Sequence, residues 1–413
     1  MDSKSPEEVK KELKNRLAES KPWELLRTTK SEAVKYAKKH AKTYCREVPT
    51  YPPSLPKKVI PLSIPHRPTD LADKIVGLIF GQAVGDAVGL ATEFLDKKTA
   101  STYYPNGVID YSDYLLDRHR RKWANEEGVV ADWTDDTDQF LLILDMMVAH
   151  NGHIDVKDFA ARCLYWANFG FTELGDICPL GVGANFGQVV TSKGFVKDPL
   201  KISEEVWKKG ECNSAANGSV MRTSLLGILD FWDEAKVISN TKSICQVTHF
   251  DPRCVACSIV TTLTVAQLIQ GETDIEKIIE HSLSQGLAVL TEESHIQDFH
   301  KFFSKDVTIE GLELNHLIGY TFKPIACAHY ALRKASRELN EEGKSKEDIF
   351  REIITEFTLE GGDADTNCAV IGAILGCYLG SSSIPQAWLK FENYTWLTDR
   401  INRVLKLFGE KKI

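Results

Sequence analysis

Apolar residues recur at positions i, i+3 and i+4 along five long segments of the chain, which is the spacing of one face of an α-helix. Gly, Ala and Ser stand in these segments where an isolated surface helix would carry Leu or Lys. Because small residues let helix axes approach closely, we expect the helices to pack inside a bundle. The segments are 71–94, 137–152, 253–271, 327–340 and 366–380.

The patterns divide the chain into an extension and a body. Residues 1–69 begin with a Lys- and Glu-rich helical stretch and end in 49–69, whose seven prolines predict a linker or a strap over the body. Alternating strand patterns are nearly absent, and 59–65 is the best of them. We therefore predict an all-α protein. Its body, residues 70–413, should form a single compact orthogonal helical bundle behind a charged helical N-terminal extension.

Charge narrows the range of ligands. The 413 residues carry a formal net charge of −8, yet the first 60 hold 15 Lys and Arg against 8 Asp and Glu. Charges of both signs are mixed in that segment, which is typical of a solvated helix. The body is therefore acidic, and nucleic acid is not expected to be its main ligand.

The compartment is predicted from cysteines and from the absence of targeting signals. Ten cysteines lie mostly in apolar stretches, which suits reduced thiols better than a disulfide framework. The N-terminus lacks the apolar middle of a signal peptide, and no apolar run approaches the length of a membrane span. We expect an intracellular, cytoplasmic monomer that binds no membrane.

The first candidate site is the acidic run 133–138, directly before an apolar helix. Thr and Asp are common helix N-caps, and that interpretation explains one of these residues. It does not explain three carboxylates within four positions, Asp135, Asp136 and Asp138, whose repulsion is costly unless solvent or a cation balances it. On this run alone, a metal site and a simple cap are equally supported.

A second acidic run, 361–367, also begins an apolar helix. Asp363 and Asp365 can point into one small space from a turn, and Gly361 and Gly362 should allow close approach of a ligand. Two Thr/Asp runs at helix starts favour one shared cation site. Their hard oxygen ligands suit Mg²⁺ or Mn²⁺ and disfavour zinc.

The segment 81–93 carries glycines at four-residue spacing, and for Gly81 and Gly85 we favour a helix-packing face. Asp86 and Glu93 are acids in a stretch that should be buried, and a buried acid is usually paired or functional.

Three weaker signals stay open. Segment 181–187 is either an anion-binding nest of backbone amides or a flexible loop. Asp176 is a candidate either for proton transfer or for support of the residues that contact the ligand. The C-x-x-C spacing of Cys254 and Cys257 lies in an apolar helix without a second ligand pair, so we predict no metal or redox role there.

The motifs G-D-A-x-G-x-x-x-E, W-T-D-D-T and G-G-D-A-D-T-N, in this order, resemble those of the ADP-ribosylglycohydrolase family. That family includes dinitrogenase-reductase-activating glycohydrolases, ADP-ribosyl-arginine and ADP-ribosyl-serine hydrolases, and J1-crystallins. The resemblance extends over about residues 73–380 and includes 216–222, which is similar to the family's G-N-G-x-x-M-R, with Ala216 in place of the first Gly. Residues 1–69 are outside it.

The resemblance implies a Mg²⁺-dependent hydrolase that releases ADP-ribose by cleaving the bond at C1″ of the distal ribose, with a paired-metal site at helix N-termini. It implies ADP-ribose or an ADP-ribosylated protein as partner and two Mg²⁺ ions, or Mn²⁺, as cofactors. The implied metal ligands are Thr134, Asp135, Asp136, Asp363, Asp365, Thr366 and Glu93. The implied catalytic residues are Glu93, Asp365 and Asp136. The expected substrate-binding residues are Asn217, Gly218, Ser219, His249 and, from the possible nest, Gly183.

Two other functional classes compete with this prediction. A catalytically silent ADP-ribose-binding or crystallin-like structural protein should have lost some of the seven ligands, and all seven are present. A different two-metal hydrolase, such as a phosphoesterase, usually adds histidine ligands, and neither acidic run contains one. The acceptor, whether arginine, serine or another group, is not determined by the sequence.

Overall fold

The computed structural model describes residues 55–56, 58–109, 111, 124–125, 128–129, 131–176, 178–179, 181–340, 343–390 and 393–413. Within them the chain forms fifteen α-helices, and its strands are one antiparallel pair of two residues each, β1 (Ala124–Asn125) and β2 (Gly128–Val129). The predicted all-α class is confirmed. Residues 59–65, the best of the weak strand patterns, form no strand.

The fifteen helices are numbered in chain order. They are α1 (Leu71–Gly89), α2 (Lys97–Tyr103), α3 (Asp135–Ala149), α4 (Val156–Phe169), α5 (Ala184–Val190), α6 (Pro199–Lys209), α7 (Val220–Thr223), α8 (Glu234–Gln246), α9 (Pro252–Gln270), α10 (Ile275–Leu287), α11 (Glu293–Phe302), α12 (Phe322–Asn340), α13 (Lys346–Glu360), α14 (Ala364–Leu379) and α15 (Tyr394–Leu407).

Helices α1 and α14 form the centre of the bundle and touch along glycine stripes. A Cβ atom built on Gly81 would lie 2.0 Å from the carbonyl oxygen of Gly372, and one on Gly85 would lie 1.9 Å from that of Cys368. No side chain larger than hydrogen fits at such distances. The predicted packing role of Gly81 and Gly85 is confirmed, and the contact places the first residues of α14 beside the last turns of α1.

The proline-rich segment lies against the body wherever it is described. Val59 is buried in the core, and the Leu62 backbone N–H donates to Leu407 O at 2.8 Å. Arg67 forms a salt bridge with Glu410. These contacts agree with a strap. Residues 1–54, which include the predicted charged helix, lie outside the described part of the chain.

Two helical segments are long and apolar enough to cross a membrane by length and composition, Leu71–Thr92 and Pro252–Gln270. The prediction that no segment reaches this length was therefore wrong. The most apolar windows of the two segments are 100% and 89% buried inside the protein, and burial in a core selects the same composition as a bilayer does.

Candidate active site

Three helix ends meet at one side of the central pair. The acids Asp86 and Glu93 lie on and just after α1, while the two predicted acidic runs begin α3 and α14. The chain therefore brings together carboxylates that are up to 279 positions apart in sequence, from Asp86 to Asp365. Close packing of the glycine stripes positions them, because a bulkier stripe would separate the helix ends.

Asp86 supports the start of α3. Its side chain is fully buried and accepts hydrogen bonds from the backbone N–H groups of Thr134, at 3.1 Å, and Thr137, at 2.9 Å. The Thr134 hydroxyl lies 2.9 Å from Asp86 Oδ1 and 3.2 Å from Asp136 Oδ2. Asp86 thus caps α3 from a neighbouring helix.

Helix capping accounts for other acidic residues of this protein but not for Asp363. Eight helices begin at a residue whose side chain accepts from a first-turn N–H, namely Asp96, Thr134, Asp155, Asp198, Asp233, Asp251, Asp274 and Ser345. Asp363 occupies the same position on α14 and makes no side-chain capping bond. Its carboxylate instead accepts from Asn217 Nδ2 at 2.5 Å. The second acidic run is therefore more than a cap.

The carboxylates of Glu93, Asp363 and Asp365 form a cluster. One oxygen from each lies within 4.8 Å of the other two. Backbone pairing holds the two loops together, since Phe94 N donates to Gly362 O at 2.5 Å and Gly362 N donates to Leu95 O at 2.8 Å. A small cation can contact all three carboxylates at this spacing.

The glycines of the second run have a different purpose from the one predicted. Both have positive φ, +71° for Gly361 and +66° for Gly362. A Cβ on Gly361 would lie 2.2 Å from Leu95 O, and one on Gly362 would lie 2.2 Å from Leu314 O. They allow close approach of neighbouring backbone rather than of a ligand.

Burial and mutual repulsion hold these carboxyl groups away from their ordinary ionisation. Burial raises the pKa of Asp86 to about 6, although hydrogen bonds from Thr137 and Thr134 oppose the shift. Burial, followed by the charges of other carboxylates in the group, raises the pKa of Asp136 and Asp365 well above the usual range. When these carboxylates are ionised together, a nearby positive charge is needed to offset their repulsion.

The donor set fits a hard divalent cation. Asp136 Oδ1 is buried and has no hydrogen-bond partner in the described part of the chain, so it is an acceptor that lacks a proton or a cation. Burial also raises the pKa of Asp363, while the Asn217 hydrogen bond and the positive charge of Lys323 lower it. All candidate ligands are oxygen atoms, which Mg²⁺ and Mn²⁺ prefer.

The acids form one wall of a cavity of about 410 Å³. Among the predicted residues, the cavity is lined by Glu93, Asp135, Asp136, Gly183, Asn217, Gly218, His249, Asp363, Asp365 and Thr366. Thr134 lies behind Asp136 and does not line it, so its ligand role remains a prediction. The cavity is large enough for a nucleotide-sized ligand.

Two predicted positions need correction. Ser219 is fully buried away from the cavity and accepts a hydrogen bond from Ser258 Oγ at 3.3 Å, because its side chain points into the interior of the bundle. Asp176 is not a cavity acid either. It accepts from Phe171 N at 3.0 Å and shapes the loop after α4. Cys254 and Cys257 are buried free thiols, as predicted.

The segment 181–187 leads into α5, which begins at Ala184. Gly181 has a φ of +77°, and a Cβ there would lie 2.9 Å from Asp135 Oδ1. Asn185 accepts from Ser214 Oγ and donates to the Thr248 carbonyl oxygen, both at 2.9 Å. The loop is tied to the cavity wall by side-chain hydrogen bonds.

Two cavity residues, Phe94 and Gln139, were missed, whereas Val182, Asn185 and Phe186 lie in the segment 181–187 and Met221 in 216–222. Gln139 had a detectable signal, since it lies four positions after Asp135 on the same helix face and donates to Asp135 Oδ2 at 3.1 Å. Phe94 has φ +61° and is half-exposed, and no sequence pattern marks such a position.

His249 lies in the cavity wall with its ring almost wholly buried. Its Nδ1 is 2.8 Å from Thr248 Oγ1, which in turn lies 2.7 Å from Arg222 Nη2. Burial, with a further contribution from the charge of Arg222, lowers the pKa of His249 well below the usual range. The imidazole is therefore neutral at physiological pH.

The structure therefore combines an all-α bundle with an acidic cluster at helix starts that faces a cavity. The ADP-ribosylglycohydrolase family matches residues 67–412, and the chain belongs to that family. Family membership supports hydrolytic removal of ADP-ribose from an acceptor.

Relatives of this chain carry corresponding names. It is 27% identical over 323 residues to a putative ADP-ribosyl glycohydrolase of Acanthamoeba polyphaga mimivirus, covering 75% of this chain and 88% of that one. It is 22% identical over 329 residues to an ADP-ribosylarginine hydrolase of Serratia proteamaculans, covering 80% of this chain and 77% of that one. It is also 22% identical over 323 residues to the ADP-ribosyl-[dinitrogen reductase] glycohydrolase of Rhodospirillum rubrum, covering 77% of this chain and 89% of that one.

A solved structure described as an ADP-ribosylglycohydrolase-related protein complex shares the fold. Its TM-score is 0.53 at 19% identity, and the match covers 83% of this chain and 100% of that chain. At this identity the likeness concerns the fold alone.

Proposed function

We propose that this protein is a Mg²⁺-dependent hydrolase that removes ADP-ribose from a modified acceptor by cleaving the glycosidic bond at C1″ of the distal ribose. One observation carries the proposal: Glu93, Asp363 and Asp365 hold carboxylate oxygens within 4.8 Å of one another on the wall of a nucleotide-sized cavity. Asp365 is buried and the other two acids are half-buried, so at this spacing they repel one another, and a divalent cation removes that cost.

Two Mg²⁺ ions, or Mn²⁺, would be held by the two acidic runs. Thr134, Asp135 and Asp136 would bind one ion, Asp363 and Thr366 the other, with Asp365 shared between them. Glu93 completes the set from the loop after α1. When bound, the cations supply charge balance for the carboxylates and Lewis-acid polarisation of ligand oxygens.

The side chains of the cavity perform the remaining chemistry. Departure of the acceptor atom from C1″ builds positive oxocarbenium character on the ribose, and the carboxylates of Glu93 and Asp365 stabilise that charge. Asp136, which lines the cavity, is the third proposed catalytic residue and would hold or transfer a proton. Asn217, Gly218, Gly183 and His249 are placed to bind the ADP-ribose moiety.

The acceptor is the next question. An N-glycosidic bond to arginine is the first choice to test, because relatives of this chain are named ADP-ribosylarginine hydrolases. An O-glycosidic bond to serine is the alternative. We further propose a cytoplasmic monomer without a membrane or a nucleic acid as main partner, on the strength of the buried free thiols and the acidic body.

The test is release of ADP-ribose from ADP-ribosylated arginine and serine peptides, with Mg²⁺ or with EDTA. Asp365→Asn serves as the matched inactive variant. Release from one peptide that requires Mg²⁺ and Asp365 supports the proposal and names the acceptor. If neither peptide is hydrolysed while ADP-ribose still raises the melting temperature, the protein is a silent ADP-ribose-binding module, which is the second candidate.

A further inference from the structure

Arg222 on α7 is a buried cation without a carboxylate partner of its own. Its side chain is fully buried, and no ion pair to it occurs among the residues that the structure describes. Its guanidinium lies 5.1 Å from the ring centre of Phe159 and 5.8 Å from that of Phe186. Burying an unpaired charge is unfavourable, so its hydrogen bonds should explain why the residue is there.

Two hydrogen bonds lead from Arg222 to opposite parts of the cavity. Nη1 donates to Gln139 Oε1, and Nη2 donates to Thr248 Oγ1, both at 2.7 Å. A guanidinium has donors only, so both partners must act as acceptors toward it. The direction of each bond is therefore determined by chemistry and not by an arbitrary choice of hydrogen positions.

The bond from Nη2 to Thr248 determines the tautomer of His249. Among the described residues, Thr248 Oγ1 has two hydrogen-bond partners: Arg222 Nη2, which can only donate, and His249 Nδ1, 2.8 Å away. The hydroxyl is buried and its one hydrogen has no other acceptor there, so it is donated to Nδ1. Nδ1 is then an acceptor without a proton. Because the ring is neutral, its single N–H must be on Nε2.

The Nε2 atom has no protein partner in the described part of the chain, and His249 lines the cavity beside Gly218. A Cβ built on Gly218 would lie 2.9 Å from Nε2, so the glycine keeps the space in front of this atom open. The N–H is therefore available to a ligand in the cavity.

The bond from Nη1 orients the side-chain amide of Gln139. With Oε1 turned to Arg222, the amide nitrogen faces Asp135 and donates to its Oδ2 at 3.1 Å. The same guanidinium thus also sets how one carboxylate of the acidic group is hydrogen-bonded.

We infer that Arg222 is a positioning residue that makes His249 Nε2 a hydrogen-bond donor into the cavity, through Thr248. The ligand atom that faces His249 must then be an oxygen acceptor, such as a phosphate or hydroxyl oxygen. The choice of ADP-ribose as the probe rests on the proposed function, whereas the tautomer does not. The competing explanation is that the hydrogen bonds of Arg222 only hold α7 against the segments that carry Gln139 and Thr248.

The deciding measurement is the tautomer of His249, read from nitrogen chemical shifts in protein labelled with ¹⁵N-histidine and assigned by loss of the signal in His249→Gln. We expect a pyrrole-type Nε2 and a pyridine-type Nδ1 in the wild type. Thr248→Val removes the donor to Nδ1 and should produce a mixture of tautomers, and Thr248→Ser should restore the wild-type shifts. A proton on Nδ1 in the wild type, or unchanged shifts in Thr248→Val, overturns the inference. Variants of Thr248 are preferred because Arg222→Met can fail to fold.

Calorimetric titration with ADP-ribose in Mg²⁺ buffer supplies a second readout. Loss of one directed hydrogen bond should weaken binding about 10-fold in Thr248→Val and leave Thr248→Ser near the wild type. His249→Gln, whose amide nitrogen can replace Nε2, should bind better than His249→Phe. Equal affinity of all variants overturns a binding role for the donor. If the wild type itself binds no ADP-ribose, the proposed function fails, and the tautomer measurement still decides the role of Arg222.

Discussion

Asp365→Asn tests the claim that the buried acids are a cation site. Asp365 is almost fully buried and is grouped with Glu93 and Asp363 within 4.8 Å. At about 5 Å and an effective dielectric constant of about 20, each repulsive pair costs ~3 kcal/mol when both partners are ionised. Protonation relieves part of that cost. We therefore expect the amide to stabilise the metal-free protein by ~1–2 kcal/mol, while turnover falls at least ~100-fold.

Although the variant should be more stable than the wild type without metal, it should gain less stability from Mg²⁺. In the wild type, Mg²⁺ at about 100 times its dissociation constant stabilises the native state by ~2.7 kcal/mol. With an unfolding entropy of about 2 cal/mol/K per residue, this corresponds to a rise in melting temperature of about 3 °C. The variant should show almost no rise, since a ligand to the cation is lost.

The assay is a thermal melt of both proteins in EDTA and in Mg²⁺. Asp158→Asn is the matched control, because Asp158 accepts from the buried Arg162 Nε at 2.7 Å and does not line the cavity. The control should melt lower by about 3 °C and keep its response to Mg²⁺. The reasoning is refuted if Asp365→Asn melts several degrees below the wild type in EDTA, or if it keeps the full response to Mg²⁺.

Three further predictions follow from the same structure. The pKa of Asp86 is about 6 in the folded state and 3.8 in the unfolded state, so its contribution to the free energy of unfolding is fully present below about pH 4 and is lost as pH rises through 6. In EDTA, the free energy of unfolding measured with denaturant should fall by up to about 3 kcal/mol over that interval, and Mg²⁺ should reduce the fall. A free energy of unfolding that does not change with pH in EDTA contradicts this. Gly85→Ala should destabilise by ~3 kcal/mol or more, because its Cβ would lie 1.9 Å from a carbonyl oxygen, whereas Gly183→Ala, with nothing within 4 Å, should melt like the wild type. Phe94→Ala at the cavity mouth should raise the dissociation constant for ADP-ribose several-fold by calorimetry without changing the melting temperature, and an unchanged constant would remove Phe94 from the site.

Local patterns were sufficient to predict the helical class and most of the acidic residues. Periodic apolar positions specify helices, because the buried face of a helix repeats every 3.6 residues whatever it packs against. The runs before α3 and α14 were detectable because several acids crowd into a few positions, which capping alone does not explain. The close packing of Gly81 and Gly85 was also predictable from their four-residue spacing.

Tertiary structure decided which of these residues share a space. Ser219 belongs to a motif next to Asn217 and Gly218, yet its side chain turns into the bundle, since neighbouring positions on a helical turn face different directions. Asp86 proved to be an external cap of α3, which depends on how two helices meet. The link from Arg222 through Thr248 to His249 joins two segments, and the 26 positions between Arg222 and Thr248 do not predict that they meet. Hydrogen-bond direction and burial arise only after packing, and for that reason the chemistry of the cavity could not be predicted from the order of residues alone.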